Sequence, residues 1–303
     1  FLMDSLDNFT NHGIDLNGLL LTGGIFPDFE NNLQIMPDYS LGFIRKTPVD
    51  GFNIYNQLAS YDNEIRLSNA GLKGTGNIEF YTSTAMSDDI TFFPDSVIAI
   101  AHTYYNKEQE KNPEIPIIKG KSCKVSYIPK EELLYAYSID SNFVFFDGGL
   151  AYLDGKLRLG YNGILGSGIM RFGAGEVESY EYSYETDAIL ADTCEFRLVS
   201  QNTNVDELSL KTQNLNARVD FETRIGEFKS NSGESFVKFP ENQYICYMDQ
   251  FNWYMDSDEL EMENSKQSQS DINIDTDLDL QTSNFFSINP DQDSLNFGSP
   301  KAK

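Results

Sequence analysis

The residues of this chain that most resemble a chemical motif are two glycine triplets, Gly71-x-x-Gly-x-Gly76 and Gly163-x-x-Gly-x-Gly168. A phosphate-binding loop needs a strand, then the glycines, then a helix N-terminus whose amide groups point at the anion. Here the residues that follow the glycines, Ile78-Glu-Phe80 and Met170-Arg-Phe172, have the pattern of a strand. The triplets therefore predict a bend in a strand and no nucleotide site.

A run of alternating aspartates, Asp275, Asp277 and Asp279, is the one weak candidate for a metal site and would bind calcium. It begins like a calcium-binding loop, but Leu280 stands where glycine is required and Phe286 stands where a bidentate glutamate belongs. A solvated acidic linker explains the same residues. No other cofactor is expected.

Nucleophilic and acid-base catalysis has few possible participants, because the chain contains only His12 and His102. The repeat described below places His102 opposite Cys194, which predicts a half-buried strand position for the histidine. Paired carboxylates could cleave glycosidic bonds, but 47 acidic residues supply many chance pairs. We assign no catalytic residue and favour a chain that is not an enzyme.

The densest aromatic stretch, Phe236 to Tyr254, holds the only tryptophan. On an exposed sheet face such rings stack on sugars or form a protein interface, because they offer large area for little lost rotamer entropy. The alternative is that they close the hydrophobic end of a repeat array. The candidate ligand or interface aromatics are Tyr244, Tyr247, Phe251, Trp253 and Tyr254.

The elements that would position these residues are strands in a duplicated arrangement. Leu58–Ala101 aligns without a gap on Leu150–Thr193 at a spacing of 92 residues, with twelve of 44 positions identical. Apolar and polar residues alternate in segments such as Leu215–Glu222, and turn residues recur every 8 to 12 positions. This pattern indicates repeated β-structure with little helix.

We therefore predict an all-β, elongated repeat array, built as a parallel β-helix or as an open β-groove solenoid, with tandem β-sandwiches as the alternative. The predicted segments are the end of an N-terminal fragment (1–15), a first β repeat (16–107), a second β repeat (108–199), a diverged third β segment or cap (200–255), and an acidic linker or the start of a next module (256–303).

Composition limits the partners. The net charge of −25 repels nucleic acids, so no nucleic acid is expected as a partner. The chain has no apolar run of the roughly 20 residues that a transmembrane helix needs. Three widely spaced cysteines form neither a dense disulfide framework nor a zinc motif. We expect the chain to be an internal piece of a larger protein.

Four segments carry a recognisable pattern: Gly23–Phe29, Met36–Phe43, Gly71–Gly76 with Phe93-Pro-Asp95, and Phe236–Trp253. Together they resemble large uncharacterised repeat proteins of the Bacteroidetes cell envelope, and this resemblance covers most of residues 16–300. The glycine-punctuated strands also resemble in pattern the β-groove repeats of AsmA/TamB-type envelope bridge proteins. The first resemblance implies a periplasmic, outer-membrane-associated or cell-surface location, and the second implies a groove that conducts lipid.

The leading hypothesis is a non-enzymatic structural or interaction scaffold within a large bacterial envelope or surface protein. The expected partners are neighbouring segments of the same larger chain, and polysaccharide, lipid or envelope proteins. The first alternative is a module that binds or degrades polysaccharide. The second alternative is a lipid-conducting β-groove.

Overall fold

A computed structural model describes the chain except for residues 11–12, 57–58, 200–207, 232–235, 258, 264–283, 293–294 and 300. Within the described residues the regular elements are 27 β-strands and one 3-10 turn at Pro290–Gln292. The predicted all-β class is therefore confirmed. No helix of the described part has the length and apolar character that crossing a bilayer requires.

The chain forms two compact units, called unit 1 (residues 1–144 and 156–164) and unit 2 (residues 145–155 and 165–303). The strands that lie wholly in unit 1 are β1 (Leu2–Thr10), β2 (Gly13–Leu20), β3 (Phe29–Ile35), β4 (Leu41–Lys46), β5 (Phe52–Ile54), β6 (Ala59–Ser68), β7 (Gly71–Phe80), β8 (Ser83–Phe92), β9 (Val97–Asn106), β10 (Ile118–Gly120), β11 (Cys123–Ile128) and β12 (Leu133–Ser138). Three strands contribute residues to both units, namely β13 (Phe143–Phe145), β14 (Ala151–Gly160) and β15 (Gly163–Phe172).

Unit 2 contains the remaining strands. They are β16 (Gly175–Tyr184), β17 (Ala188–Val199), β18 (Leu208–Thr212), β19 (Leu215–Asp220), β20 (Ile225–Ser230), β21 (Val237–Phe239), β22 (Tyr244–Cys246), β23 (Gln250–Tyr254), β24 (Glu259–Glu263), β25 (Phe285–Ser287), β26 (Asn296–Phe297) and β27 (Lys301–Ala302). The described part of residues 256–303, which composition predicts as a linker or the start of a next module, thus contributes four strands to unit 2.

Each unit is an antiparallel meander. In unit 1 the strands pair in the order β1, β2, β3, β4, β6, β7, β8, β9, β11, β12 and β14. In unit 2 the order is β15, β16, β17, β19, β20, β23 and β24. Every one of these ladders is antiparallel, so the parallel β-helix that the sequence left open is wrong for the described residues.

The 92-residue repeat of the sequence is a repeat of strands and of their register. The bounds of β6, β7 and β8 recur at this spacing as β14, β15 and β16. The ladder between β7 and β8 has a β-bulge between Gly74 and Gly76, and the ladder between β15 and β16 has one between Gly166 and Gly168. The glycine triplets lie within strands, which confirms the predicted strand irregularity and removes the helix that a phosphate site would need.

Close backbone approach explains the glycines at the bulge. Gly76 has φ +136°, and a Cβ there would lie 2.1 Å from the carbonyl oxygen of Asp62. Gly168 has φ +127°, and a Cβ would lie 2.2 Å from the carbonyl oxygen of Asp154. Both the backbone conformation and the space therefore exclude a side chain in both copies.

A buried serine holds the other side of each bulge. Ser179 Oγ donates to the carbonyl of Thr193 at 2.8 Å and accepts from the amide of Glu181 at 3.2 Å. Ser87 makes the same kind of bonds in the first copy, with the carbonyl of Ile100 at 2.7 Å and the amide of Asp89 at 3.0 Å. These bonds satisfy backbone groups that the bulge removes from the strand ladder.

The segment after residue 200 continues the repeat. β11 and β12 recur 92 residues later as β19 and β20, with the same register between the two strands. The next strand in this order, β23, pairs with β20, and its counterpart β14 pairs with β12 in the same way. The strand after it, β24, pairs with β23, as β7 pairs with β6 in the first copy. The described strands of residues 200–255 thus follow the strand order of the first two copies.

Aromatic side chains fill the interior of each unit. In unit 1 the ring of Phe26 lies 4.8 Å from Phe92 and 6.1 Å from Tyr61, and all three side chains are buried. In unit 2 the ring of Phe228 lies 4.1 Å from Phe196 and 4.7 Å from Phe251. Because these side chains pack against one another, the apolar faces of these strands are occupied by the chain itself.

Candidate functional site

The histidines do not build a catalytic site in the described residues. His12 lies outside them, and His102 is exposed on β9, where the predicted half-buried position is wrong. The structure also corrects its predicted counterpart: Ser87 pairs with Ala101, and Ser179 pairs with Cys194. The structural counterpart of Cys194 is therefore Ala101, which is also buried, and not His102. The pairing partner of the bulge serine is shifted by one residue between the two copies.

The three cysteines are buried free thiols. Burial raises the pKa of Cys123 to about 11 and the pKa values of Cys194 and Cys246 to about 12. Since the thiolate is the nucleophile and the metal ligand, these groups are inert at neutral pH.

The calcium candidates Asp275, Asp277 and Asp279 lie outside the described residues. Within the part of the chain that the structure describes, no three His, Cys, Asp or Glu side chains are grouped so that they could hold a metal ion.

The five aromatic candidates divide between the core and the surface of unit 2. Phe251 and Trp253 are 2% exposed, and the Trp253 ring lies 5.8 Å from Phe172, as expected for residues that close a hydrophobic interior. Tyr244 and Tyr254 are half-buried, and Tyr247 is exposed. Successive side chains of a strand point to opposite faces, so Tyr254 lies on the other face of β23 from the buried Phe251 and Trp253.

Tyr244 belongs to a groove of about 530 Å³ beside β24, which we call the aromatic groove. The Phe297 ring stacks on Phe285 at 4.7 Å, and it lies 6.0 Å from Tyr244. Glu259 and Lys303 stand among the polar lining residues. The apolar lining residues are Phe239, Tyr244, Leu260, Met262, Phe285, Phe297 and Ala302.

The edge of β24 carries a row of charge next to this groove. Glu259, Glu261 and Glu263 alternate along the strand with Leu260 and Met262. The short strand β27 pairs antiparallel with the outer edge of β24, through Met262 with Ala302 and Glu263 with Lys301. We call the three glutamates the acidic ladder.

Two lysines neutralise part of the acidic ladder. Lys301 Nζ lies 3.3 Å from Glu263, and Lys303 Nζ lies 2.8 Å from Glu259 and 3.6 Å from Glu261. The hydrogen bond and charge of Lys303 lower the pKa of the Glu259 carboxyl and so favour its ionised form.

A second surface site lies at the bulge of the second copy. Tyr180 is 98% exposed and lines two grooves, of about 480 Å³ and about 180 Å³. Beside it Arg197 donates to Glu178 at 2.7 Å and to Glu195 at 3.0 Å. We call the larger of these two grooves the tyrosine groove.

Arg197 links the carboxylates beside the tyrosine groove. It also donates to Glu176 at 2.8 Å, so one guanidinium binds three carboxylates. Partial burial lowers the pKa of Arg197, but the hydrogen bonds to the glutamates raise it more, and the net direction is upward. Charge-assisted hydrogen bonds from one guanidinium hold the three carboxylates in place beside the groove.

Sequence reasoning identified Tyr244 but missed the rest of both sites. Tyr180 is exposed by the ordinary alternation of β16, between the buried Ser179 and the exposed Glu181, and no motif in the sequence marks it. Phe285 and Phe297 come close to Tyr244 only through the pairing of β22, β25 and β26.

Comparison with known proteins adds no relative: no protein-family model, no curated protein and no solved structure matches this chain.

Proposed function

We propose that this chain is a non-enzymatic structural or interaction scaffold within a large bacterial envelope or surface protein, located in the periplasm, at the outer membrane or on the cell surface. The observation that carries the proposal is the recurrence of one antiparallel meander along the chain, with the same bulge in two copies and the same β11–β12 register in β19–β20. Repeated units of this kind present extended binding surfaces.

The pattern of substitution between the two copies supports this function. The bend residues are the same in both copies, whereas polar and aromatic residues on the outer face near them differ. Asp88 in the first copy corresponds to Tyr180 in the second, and Tyr105 corresponds to Arg197. A framework that is retained while its surface changes is what a scaffold with separate binding surfaces requires.

Site-specific photo-cross-linking in cells that make the chain tests the scaffold proposal. A photoreactive residue at the exposed Tyr247 should give discrete adducts with protein, and one at the buried Phe228 should give none. Hydrolysis of a panel of glycosides and esters is the parallel measurement. Turnover by the purified chain, or adducts at Tyr247 that contain only glycan or lipid, would overturn the proposal.

Polysaccharide binding is the second candidate, and the tyrosine groove favours it. An exposed ring can stack on a sugar face, while the neighbouring Glu178, Glu195 and Asn214 offer hydrogen bonds to hydroxyl groups. A glycan array probed with the native chain and with Tyr180→Ala measures this. A hit that Tyr180→Ala abolishes and that Tyr152→Ala, a change of another exposed tyrosine of unit 2, leaves intact would support the second candidate; unchanged binding by Tyr180→Ala would exclude it.

A further inference from the structure

We propose that the outer face of β9, β11, β12 and β14 in unit 1 binds an acidic polysaccharide, one whose sugars carry carboxylate or sulfate groups. The proposal rests on the scaffold function proposed above and names one partner of that scaffold by its chemistry. It concerns a surface separate from the tyrosine groove, which belongs to unit 2. We call this surface the basic face, and its residues are Ile100, Lys124, Tyr135, Tyr137, Lys156 and Arg158.

The strand register places one row of these side chains across four strands. Lys124 pairs with Ile100 on one side and with Tyr137 on the other, and Tyr137 pairs in turn with Lys156. Paired residues of neighbouring strands point to the same face of a sheet. Lys124 and Lys156 therefore stand on either side of the Tyr137 ring, with their backbones about 10 Å apart.

A second row extends the basic face along the strands. Tyr135 precedes Tyr137 by two residues on β12, so the two rings share a face at a spacing of about 7 Å. Tyr135 pairs with Arg158, and its hydroxyl donates to Glu131, in the turn before β12, at 2.8 Å. Tyr137 is 39% exposed and Ile100 is 45% exposed, so both offer apolar area to a partner.

The charge of the basic face is opposite to that of the whole chain. The net charge is −25, but β9, β10, β11 and β12 contain no aspartate or glutamate, and neither do residues 156–160 of β14. Lys124 and Lys156 are exposed, and neither has an ion-pair partner among the described residues. Charges more than about 8 Å away are largely screened at physiological salt. An acidic group at this face therefore interacts mainly with the cations beside it.

The corresponding face of unit 2 has different chemistry. β19 and β20 recur from β11 and β12, and there Glu227 stands in the place of Tyr135. Arg218 stands in the place of Ser126, and Glu185 binds its guanidinium through two hydrogen bonds of 2.9 and 2.7 Å. Both units share the strand order, so the framework does not require the exposed lysines and tyrosines of unit 1.

The geometry of the basic face favours a polysaccharide over a peptide. β11 is paired with β9 along one edge and with β12 along the other, and the second edge of β12 is paired with β14. A partner therefore reaches side chains only, and a peptide lying on this face would leave its own amide groups without partners. A sugar ring, by contrast, stacks its apolar face on an exposed tyrosine. Acidic groups at the rim of the sugar then meet the lysines on either side.

Fluorescence anisotropy with a labelled hexasaccharide of galacturonate tests the proposal. The matched control is the same hexasaccharide with its carboxylates reduced to alcohols. At 0.15 M salt, where long-range repulsion by the acidic chain is screened, we expect the 303-residue chain to bind the acidic form about tenfold more tightly than the neutral form. Equal binding of the two forms would overturn the proposal.

A labelled oligomer of dextran sulfate is the second acidic probe. Tighter binding of this oligomer than of the galacturonate would support the site and identify sulfate as the acidic group. The reverse order would support the site and identify carboxylate. Absence of binding to both acidic probes would refute the basic face as a site.

Lysine variants separate the basic face from general charge. Lys124→Gln with Lys156→Gln should weaken the bound acidic probe about tenfold, because two charge-assisted bonds are lost. Lys124→Arg with Lys156→Arg keeps both charges and should bind as the native chain does. Lys107→Gln with Lys111→Gln makes the same change of net charge at two exposed lysines in the loop after β9. If this control weakens binding as much as the first pair, net charge alone explains binding and the site is refuted.

Tyrosine variants test the stacking. Tyr137→Ala should weaken the acidic probe severalfold, whereas Tyr39→Ala, a change of a 91% exposed tyrosine in the turn between β3 and β4, should have no effect. Tyr180→Ala should also leave binding unchanged, because the tyrosine groove lies in unit 2. Loss of binding in Tyr180→Ala with full binding in Tyr137→Ala would place the sugar in the tyrosine groove and refute this assignment.

Other anionic partners are outcomes of the same assay. Polyglutamate that binds more tightly than both acidic sugars would assign the face to an acidic protein segment and refute the proposal. Binding to vesicles of phosphatidylglycerol without binding to the sugars would assign it to a lipid surface, with the same consequence. Failure of the sugars with persistent protein adducts at Tyr247 would refute this site and leave the scaffold proposal standing.

Discussion

Replacing Gly168 by alanine is the sharpest test of the strand bend, because Gly148 offers a matched control in the same unit. Gly148 also has a positive φ, +81°, but a Cβ there would have no neighbour within 4 Å. Gly148→Ala therefore measures the backbone conformation alone. Gly168→Ala adds the overlap with the carbonyl oxygen of Asp154 at 2.2 Å.

The two costs can be estimated separately. A left-handed conformation costs a residue with a Cβ about 1 to 2 kcal/mol, which is our expectation for Gly148→Ala. At φ +127° the backbone cost is about 1 to 3 kcal/mol, and relieving the overlap by moving backbone costs about 1 to 3 kcal/mol more. We therefore expect Gly168→Ala to lower the free energy of unfolding by about 2 kcal/mol more than Gly148→Ala does.

Urea unfolding followed by tryptophan fluorescence measures this difference. Trp253 is the only tryptophan of the chain and is buried in unit 2, the unit that contains both glycines. With a denaturant slope of about 2 kcal/mol per molar urea, the unfolding midpoint of Gly168→Ala should lie about 1 M below that of Gly148→Ala. Coincident midpoints would refute the claim that close backbone approach dictates this glycine.

Three further changes in unit 2 have defined outcomes in the same assay. Ser179→Ala removes both bulge hydrogen bonds and should cost about 1 to 3 kcal/mol, whereas the exposed Ser183→Ala should have almost no effect; equal effects would contradict the bulge argument. Tyr182→Phe loses a hydroxyl whose proton lies between two carbonyl oxygens and should cost about 1 to 2 kcal/mol, while Tyr184→Phe, which removes a buried hydroxyl with no hydrogen-bond partner among the described residues, should cost less. Burial raises the pKa of the Cys194 thiol from an ordinary 9 to about 12 in the folded chain. Above pH 9 the unfolded chain therefore releases a proton that the folded chain keeps. The contribution of this thiol to the free energy of unfolding is full below pH 9 and is lost as the pH rises toward 12. Between pH 8 and pH 10 the native chain should therefore lose about 1 kcal/mol more stability than Cys194→Ala, and parallel losses would contradict a buried thiol.

The bends and the repeat could be predicted because their physical cause leaves a direct mark on the sequence. Where a side chain would overlap backbone, as at Gly76 and Gly168, only glycine fits. Both copies of the repeat therefore have glycine at these positions, and an ungapped alignment of the sequence with itself finds the match. The same comparison failed at His102 and Cys194, because a bulge shifts strand pairing by one residue without changing the length of the chain.

The core and the surface sites differ in the same way. The burial of Phe251 and Trp253 follows the alternation of a strand, which short-range sequence shows. The aromatic groove depends on Tyr244 meeting Phe297, more than fifty residues further along the chain. Tyr180 is exposed by the alternation of β16, but the groove beside it also needs residues of β15 and β17 and residues 213–214. No local pattern encodes either contact, so neither site could be predicted.

The constant spacing of the copies has a consequence for how the gene can change. Because β11 and β12 recur as β19 and β20 at the 92-residue spacing already kept by β6 to β8 and β14 to β16, recombination between equivalent codons deletes or adds one whole copy in frame. A deletion of residues 77–168 would join Gly76 to Ile169 and place the same bulge at the junction. Unequal crossing-over can thus change the number of copies one at a time, because each junction joins two strands that already pair in the existing copies.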